Sequence, residues 1–82
     1  MSIQATRIEK FEDLDESKYC YYKQDGYWYL WLPGCGLAAL ANHQIVEHED
    51  GTITASPSIL TTGGTSKVTR HGYLEKGIWR DC

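Results

Sequence analysis

Lys18-Tyr19-Cys20-Tyr21-Tyr22-Lys23-Gln24-Asp25-Gly26-Tyr27-Trp28-Tyr29-Leu30-Trp31-Leu32 decides the fold. Two runs rich in aromatic residues flank an Asp-Gly pair. Asp-Gly tolerates the positive φ angles of a two-residue hairpin turn, whose twist matches that of paired strands. Such a turn pairs Gln24 with Tyr27, Tyr22 with Tyr29 and Cys20 with Trp31. Side chains alternate along a strand, so Tyr19, Tyr21, Trp28, Leu30 and Leu32 share one face, the expected core. Cys20, Tyr22, Tyr27, Tyr29 and Trp31 share the other. One core covers one face. Tyr22, Tyr27, Tyr29 and Trp31 are therefore expected to form an exposed aromatic surface for binding a partner protein, since apolar patches mark interaction sites and Tyr and Trp are enriched in binding hot spots.

The period of two continues downstream. Pro33-Gly34-Cys35-Gly36 ends the first hairpin, and Leu37-Ala38-Ala39-Leu40-Ala41 reads as a strand between hairpins. Asp50-Gly51 predicts a second hairpin, with Val46, Ile53 and Ala55 on one face and Glu47, Thr52 and Thr54 on the other. Pro57 has no N–H to donate and marks an edge or strand end. Residues 61–66 have the composition of a flexible loop. Residues 67–82 fold into a last hairpin about Glu75-Lys76-Gly77.

Upstream, residues 1–17 differ. Glu9, Glu12, Asp13, Asp15 and Glu16 crowd together, and Ile8, Phe11 and Leu14 recur every third residue. That spacing fits a short helix; a loose acidic arm is the alternative. The expected fold is all-β: an antiparallel meander of five to seven strands as a small sandwich or half-barrel over residues 18–82, preceded by the acidic segment 1–17. Trimming the first six residues is expected to cost less stability than removing Asp81 and Cys82.

The chain has 82 residues, 41% of them hydrophobic, and a net charge of -3. Its basic residues are scattered, which disfavours nucleic acid as a partner. It has no apolar run of membrane-spanning length and no basic-then-apolar leader, so a cytoplasmic setting with reduced thiols is expected. Three cysteines argue against a closed disulfide framework.

A chain this short draws only about 3–5 kcal/mol from its apolar core and often adds a metal staple. Folding the last hairpin brings His71 and Cys82 to its open end, at the roughly 4.5–5.5 Å Cβ spacing of cross-strand neighbours. Cys35 sits in a glycine-flanked turn that can present its sulfur. Zinc takes tetrahedral sets of Cys and His, so Cys35, His71 and Cys82 are candidate ligands. The fourth position is open: His43 is one candidate, and His48, Cys20 and Asp81 are others. Each residue also has a plainer reading, as a buried turn cysteine, a hydrogen-bonded histidine and a chain terminus. Catalytic signals are thin. Ser56 and Ser58 lack a Gly-x-Ser-x-Gly elbow, and Gly63-Gly64 is not followed by Lys-Ser/Thr and a helix.

The order Trp31-Leu32-Pro33-Gly34-Cys35, then Ser56-Pro57-Ser58-Ile59-Leu60, then Arg70-His71-Gly72-Tyr73, then Asp81-Cys82 resembles a family of uncharacterised small phage and bacterial proteins often mislabelled ammonia monooxygenase. The likeness spans residues 27–82. It implies zinc binding, with Cys35, His71 and Cys82 on the family's ligand positions. Arg70 and Leu32 stand where the family has further cysteines. The oxygenase label has no physical support in a chain without a multi-copper or membrane site. The expected function is that of a zinc-stapled phage-type protein that binds, and by analogy inhibits, a host enzyme or defence protein. A metal-dependent hydrolase with an open zinc position and a structural accessory protein are the competing classes.

Overall fold

The structure is a computed structural model and describes residues 2–63 and 68–81. Among the described residues it is all-β, with two sheets and no closed barrel. Among the described residues there are nine strands: β1 (Ser2–Gln4), β2 (Thr6–Arg7), β3 (Cys20–Gln24), β4 (Tyr27–Leu32), β5 (Gly36–Ala39), β6 (Gln44–Glu47), β7 (Ile53–Gly63), β8 (Val68–Glu75) and β9 (Ile78–Asp81). One sheet has the order β1-β9-β8-β7-β6, the other β2-β3-β4-β5. The expected five to seven strands become nine because residues 2–7 supply two.

The first hairpin has the predicted register, with Gln24 opposite Tyr27, Tyr22 opposite Tyr29 and Cys20 opposite Trp31. Asp25 and Gly26 take φ of 53° and 86°, the left-handed pair that a two-residue turn requires. Lys76 and Gly77, at 48° and 75°, make the same turn between β8 and β9.

The core lies between the sheets. Tyr19, Tyr21, Trp28, Leu30 and Leu32 come from the first hairpin, as expected. Ile53, Ala55, Ile59, Leu74 and Trp79 face them from the other sheet. Tyr19 stacks on Trp79 with ring centroids 5.9 Å apart.

The second hairpin departs from its predicted register. The observed pairs are Glu47 with Ile53 and Val46 with Thr54, joined by a five-residue loop rather than a two-residue turn. Within that loop Asp50 accepts from the Thr52 N–H at 3.0 Å and the Thr52 hydroxyl at 2.6 Å. The odd loop length shifts the pairing by one residue, which exchanges the faces of a strand. Ile45, opposite Ala55, therefore packs on the core, and Val46 is 55% exposed.

β7 runs through Pro57 instead of stopping there. The Ser56–Pro57 peptide is cis, and the register shifts between Ala55 and Ile59, so Pro57 occupies an irregularity where no ladder donor is needed. Thr61, Thr62 and Gly63 continue β7. The rest of the loop expected over 61–66 lies outside the described residues.

The N-terminal segment is part of the sandwich. β1 pairs with β9 in one sheet, and β2 runs parallel to β3 in the other. The chain changes sheets at Ala5, which is buried and whose N–H donates to the Gly77 carbonyl at 2.8 Å. The expected helix shortens to one 3-10 turn, Phe11–Asp13.

Candidate functional site

The outer face of the β2-β3-β4-β5 sheet carries the aromatic surface. Alternation on β4 sends Trp28, Leu30 and Leu32 inward and Tyr27, Tyr29 and Trp31 outward. Tyr27 is 54% exposed at the hairpin tip; Tyr29 and Trp31 are half-buried. Tyr22 differs from expectation: it is 3% exposed. Phe11 meets its ring edge-on at 6.2 Å, and Tyr29 stacks on it at 5.3 Å. Burial, helped by nearby Tyr29 and Glu12, pushes the Tyr22 phenol above its ordinary pKa.

The acidic segment makes this partial cover. The Trp31 indole donates to the Glu16 carbonyl at 3.1 Å. The buried Cys20 thiol lies 3.6 Å from the Lys18 carbonyl and 3.8 Å from that of Asp15. Ser17 donates its N–H and its hydroxyl to Asp15 Oδ1, at 3.0 and 2.6 Å. Those bonds hold the Asp15 carboxyl below the usual range. Glu9, Glu12, Asp13, Asp15 and Glu16, all in this segment, are exposed.

On its other side the face runs onto β5, the edge strand. Leu37 lies opposite Trp31 and Ala39 opposite Tyr29, both exposed. Tyr29, Trp31, Leu37 and Ala39 thus make a continuous apolar surface, with Phe11, 48% exposed, beyond Tyr22. Leu37, Ala39 and Phe11 were missing from the expected surface. The available signal was the uncharged run after Pro33-Gly34, which reads equally well as a buried strand.

The expected zinc ligands occupy three different settings. Cys35 is buried in the core cluster. His71 is exposed on the outer face of β8, where its Nε2 is hydrogen-bonded to Ser58 Oγ at 3.0 Å. Gly72 and Leu74 on the same strand point inward, so His71 and Cys35 sit on opposite sides of the sheet. His43 Nε2 donates to the Ser58 carbonyl at 3.3 Å, and its Nδ1 is buried without a partner. Cys82 lies outside the described residues. Among the described residues no group of three or more His, Cys, Asp and Glu side chains could hold a metal ion.

Two further features have chemical content. Ser58 and His71 form a hydroxyl–imidazole pair, but among the described residues no carboxylate is bonded to His71 to orient it as a base. A cleft of about 370 Å³ between β4 and β6 is lined by Tyr27, Trp28, Leu40, His43 and Ile45, with the Lys23–Glu47 ion pair, at 4.0 Å, at its rim. Arg7 and Lys23 both sit over the Trp28 ring, at 5.2 and 5.9 Å from its centroid, and screen it from solvent.

Among the described residues no helix is long and apolar enough to cross a membrane. No family model, curated protein or solved structure matches the chain.

Proposed function

We propose that the protein is a polypeptide-recognition module that binds through the outer face of the β2-β3-β4-β5 sheet. The observation that carries the reading is the outward row Tyr27, Tyr29 and Trp31 continuing without a charged residue onto Leu37 and Ala39 of the edge strand. Tyr and Trp give large contact areas at little entropic cost, and partly exposed rings backed by a packed layer are typical anchors. The backing layer here is Tyr22, held by Phe11 and Tyr29.

Selection of binders from a displayed peptide library tests the reading. Binders are expected to weaken at least about tenfold on Trp31→Ala and on Leu37→Asp, as for loss of one hot spot. They should be indifferent to Tyr73→Ala on the outer face of the other sheet, where Tyr73 is 46% exposed. Tyr27→Ser, at the exposed hairpin tip, serves as the variant least able to disturb folding. Binders unaffected by all three sheet-face variants, or an empty selection, overturn the reading.

A further inference from the structure

We infer that residues 9–18 form a displaceable strap that competes with the partner for the aromatic face; this rests on the recognition reading above. The strap lies over the outer side of β3. Phe11 meets the Tyr22 ring edge-on at 6.2 Å, and the carbonyls of Asp15 and Lys18 lie 3.8 and 3.6 Å from the Cys20 thiol. Tyr22 and Cys20 belong to the outer face of the sheet, opposite Tyr29 and Trp31, yet they are 3% and 1% exposed. The sheet residues that a partner meets on the closed protein are therefore Tyr27, Tyr29 and Trp31, with Leu37 and Ala39. With the strap lifted, Tyr22 and Cys20 join them.

The first support is how little docking gives the strap. Seven of its ten residues are charged, and all seven are exposed. They are hydrated whether the strap is docked or released, and such a composition offsets little of the entropy lost on ordering. Its apolar residues are Phe11, 48% exposed, and Leu14, half-buried. None of the three residues in its 3-10 turn is buried. Segments held by so few apolar contacts open locally, at free energies below that of global unfolding.

The second support is the tethering. The Ile8 N–H donates to the Tyr21 carbonyl at 2.9 Å, and the Thr6 N–H to the Tyr19 carbonyl at 2.8 Å. These bonds clamp both ends of the strap onto β2 and β3, where Thr6 lies opposite Cys20. Neighbouring strands are about 4.8 Å apart, and ten extended residues reach about 33 Å. The strap can leave the face with β2 and β3 still paired.

The third support is a shared donor. The Trp31 indole has a single N–H, and it donates to the Glu16 carbonyl at 3.1 Å. A polypeptide whose carbonyl takes that N–H displaces Glu16. The Glu16 carbonyl is presented by a turn in which Asp15 Oδ1 accepts from the Ser17 N–H and hydroxyl, at 3.0 and 2.6 Å. Trp31 is thus both the partner's anchor and the strap's catch, and apparent affinity scales with the open fraction.

Two measurements on the full chain test this. Iodoacetamide labelling of Cys20 in urea below the unfolding transition, followed by mass spectrometry, reports opening without a partner. Local opening predicts a rate that barely changes with urea, because little surface is exposed. A rate that climbs from zero urea with the slope of global unfolding overturns the inference. The second measurement uses library binders that need Trp31 and Leu37. Asp15→Ala loosens the turn behind Glu16 and should tighten them at least about threefold, as the open fraction rises. Asp13→Ala removes an equal charge and leaves those bonds in place, so affinity should not change. In the complex the nuclear Overhauser contact between the Phe11 and Tyr22 rings should vanish. Equal effects of the two variants, no tightening, or persistence of that contact would show a fixed cover and overturn this inference with the recognition reading intact. An empty selection overturns the recognition reading, and this inference with it.

Discussion

The indole of Trp79 lies against the backbone of Gly72. A Cβ built on Gly72 would stand 2.7 Å from Trp79 Cζ2 and would overlap the Arg80 carbonyl oxygen. Gly72 is thus a close-packing position, where β8 must pass β9 without a side chain while Trp79, fully buried, fills the core behind it. Gly72→Ala is expected to destabilise the fold by more than about 3 kcal/mol, because neither the β9 backbone nor a core indole can withdraw. Gly26→Ala is the control: nothing lies within 4 Å of its Cβ, and only the positive φ resists. It should cost about 1–2 kcal/mol. Urea unfolding of both variants gives the order; a smaller loss for Gly72→Ala would contradict this packing.

Removing residues 1–7 should lower the melting temperature by about 10 °C or more. It deletes the Ala5 to Gly77 and Thr6 to Tyr19 backbone bonds, both 2.8 Å, and the β1–β9 pairing. Two or three such bonds contribute about 1 kcal/mol each, and 1 kcal/mol corresponds to about 4–8 °C in a domain of this size. A melt indistinguishable from the full chain would show that β1 and β2 are dispensable.

Phe11→Ala should open the cover over Tyr22 and Cys20. The buried Cys20 is expected to react slowly with iodoacetamide in the native protein and about tenfold faster in the variant, the loss of an aromatic contact being worth about 1 kcal/mol. Mass spectrometry of the Cys20 peptide follows the rate. An unchanged rate would mean that residues 11–17 cover Cys20 without Phe11.

Acid should weaken the loop between β6 and β7 through Asp50. Its bonds from Thr52 hold the carboxyl below the ordinary 3.8, with a smaller contribution from His48. A depressed folded-state pKa means stability that is complete above 3.8 and lost as pH falls through the lower folded value. Asp50→Ala should therefore be less stable than the parent at neutral pH and lose less between pH 4 and 2. Parallel stability–pH curves for the two proteins would exclude this linkage.

At alkaline pH the sign reverses. Burial raises the Tyr19 and Tyr21 phenols above 10.0, and that of Tyr22 likewise. Stability from keeping them neutral is complete below pH 10 and declines as pH climbs toward the folded values. Their ionisation should coincide with loss of the near-ultraviolet dichroism of the core. Phenolate formation at these three tyrosines in a still-folded protein would contradict their burial.

The first hairpin was legible because Asp25-Gly26 fixes both turn length and register, and register fixes which of Tyr21 and Tyr22 points inward. Asp50-Gly51 looked alike but belongs to a five-residue loop, so Val46 and Ile45 exchanged faces. Tyr22 looked exposed because strand alternation says nothing of what a distant segment lays over the outer side. His71 and Cys35 seemed to converge because hairpin position was visible and the face of each residue was not. Ser58 as the shared partner of His43 and His71 had no sequence signal, since it depends on the irregular path of β7 through Pro57.

The crossing at Ala5 also sets an order of events during synthesis. Ser2 must find Arg80, a pairing that spans nearly the whole chain, and contacts of such separation place folding in the slow range of about milliseconds to seconds. As the chain leaves the ribosome, the β3–β4 hairpin can form early, whereas β1 has no partner until β9 has been made. Until then the β1–β9 seam cannot close, and Trp79 of β9 is missing from the core between the sheets.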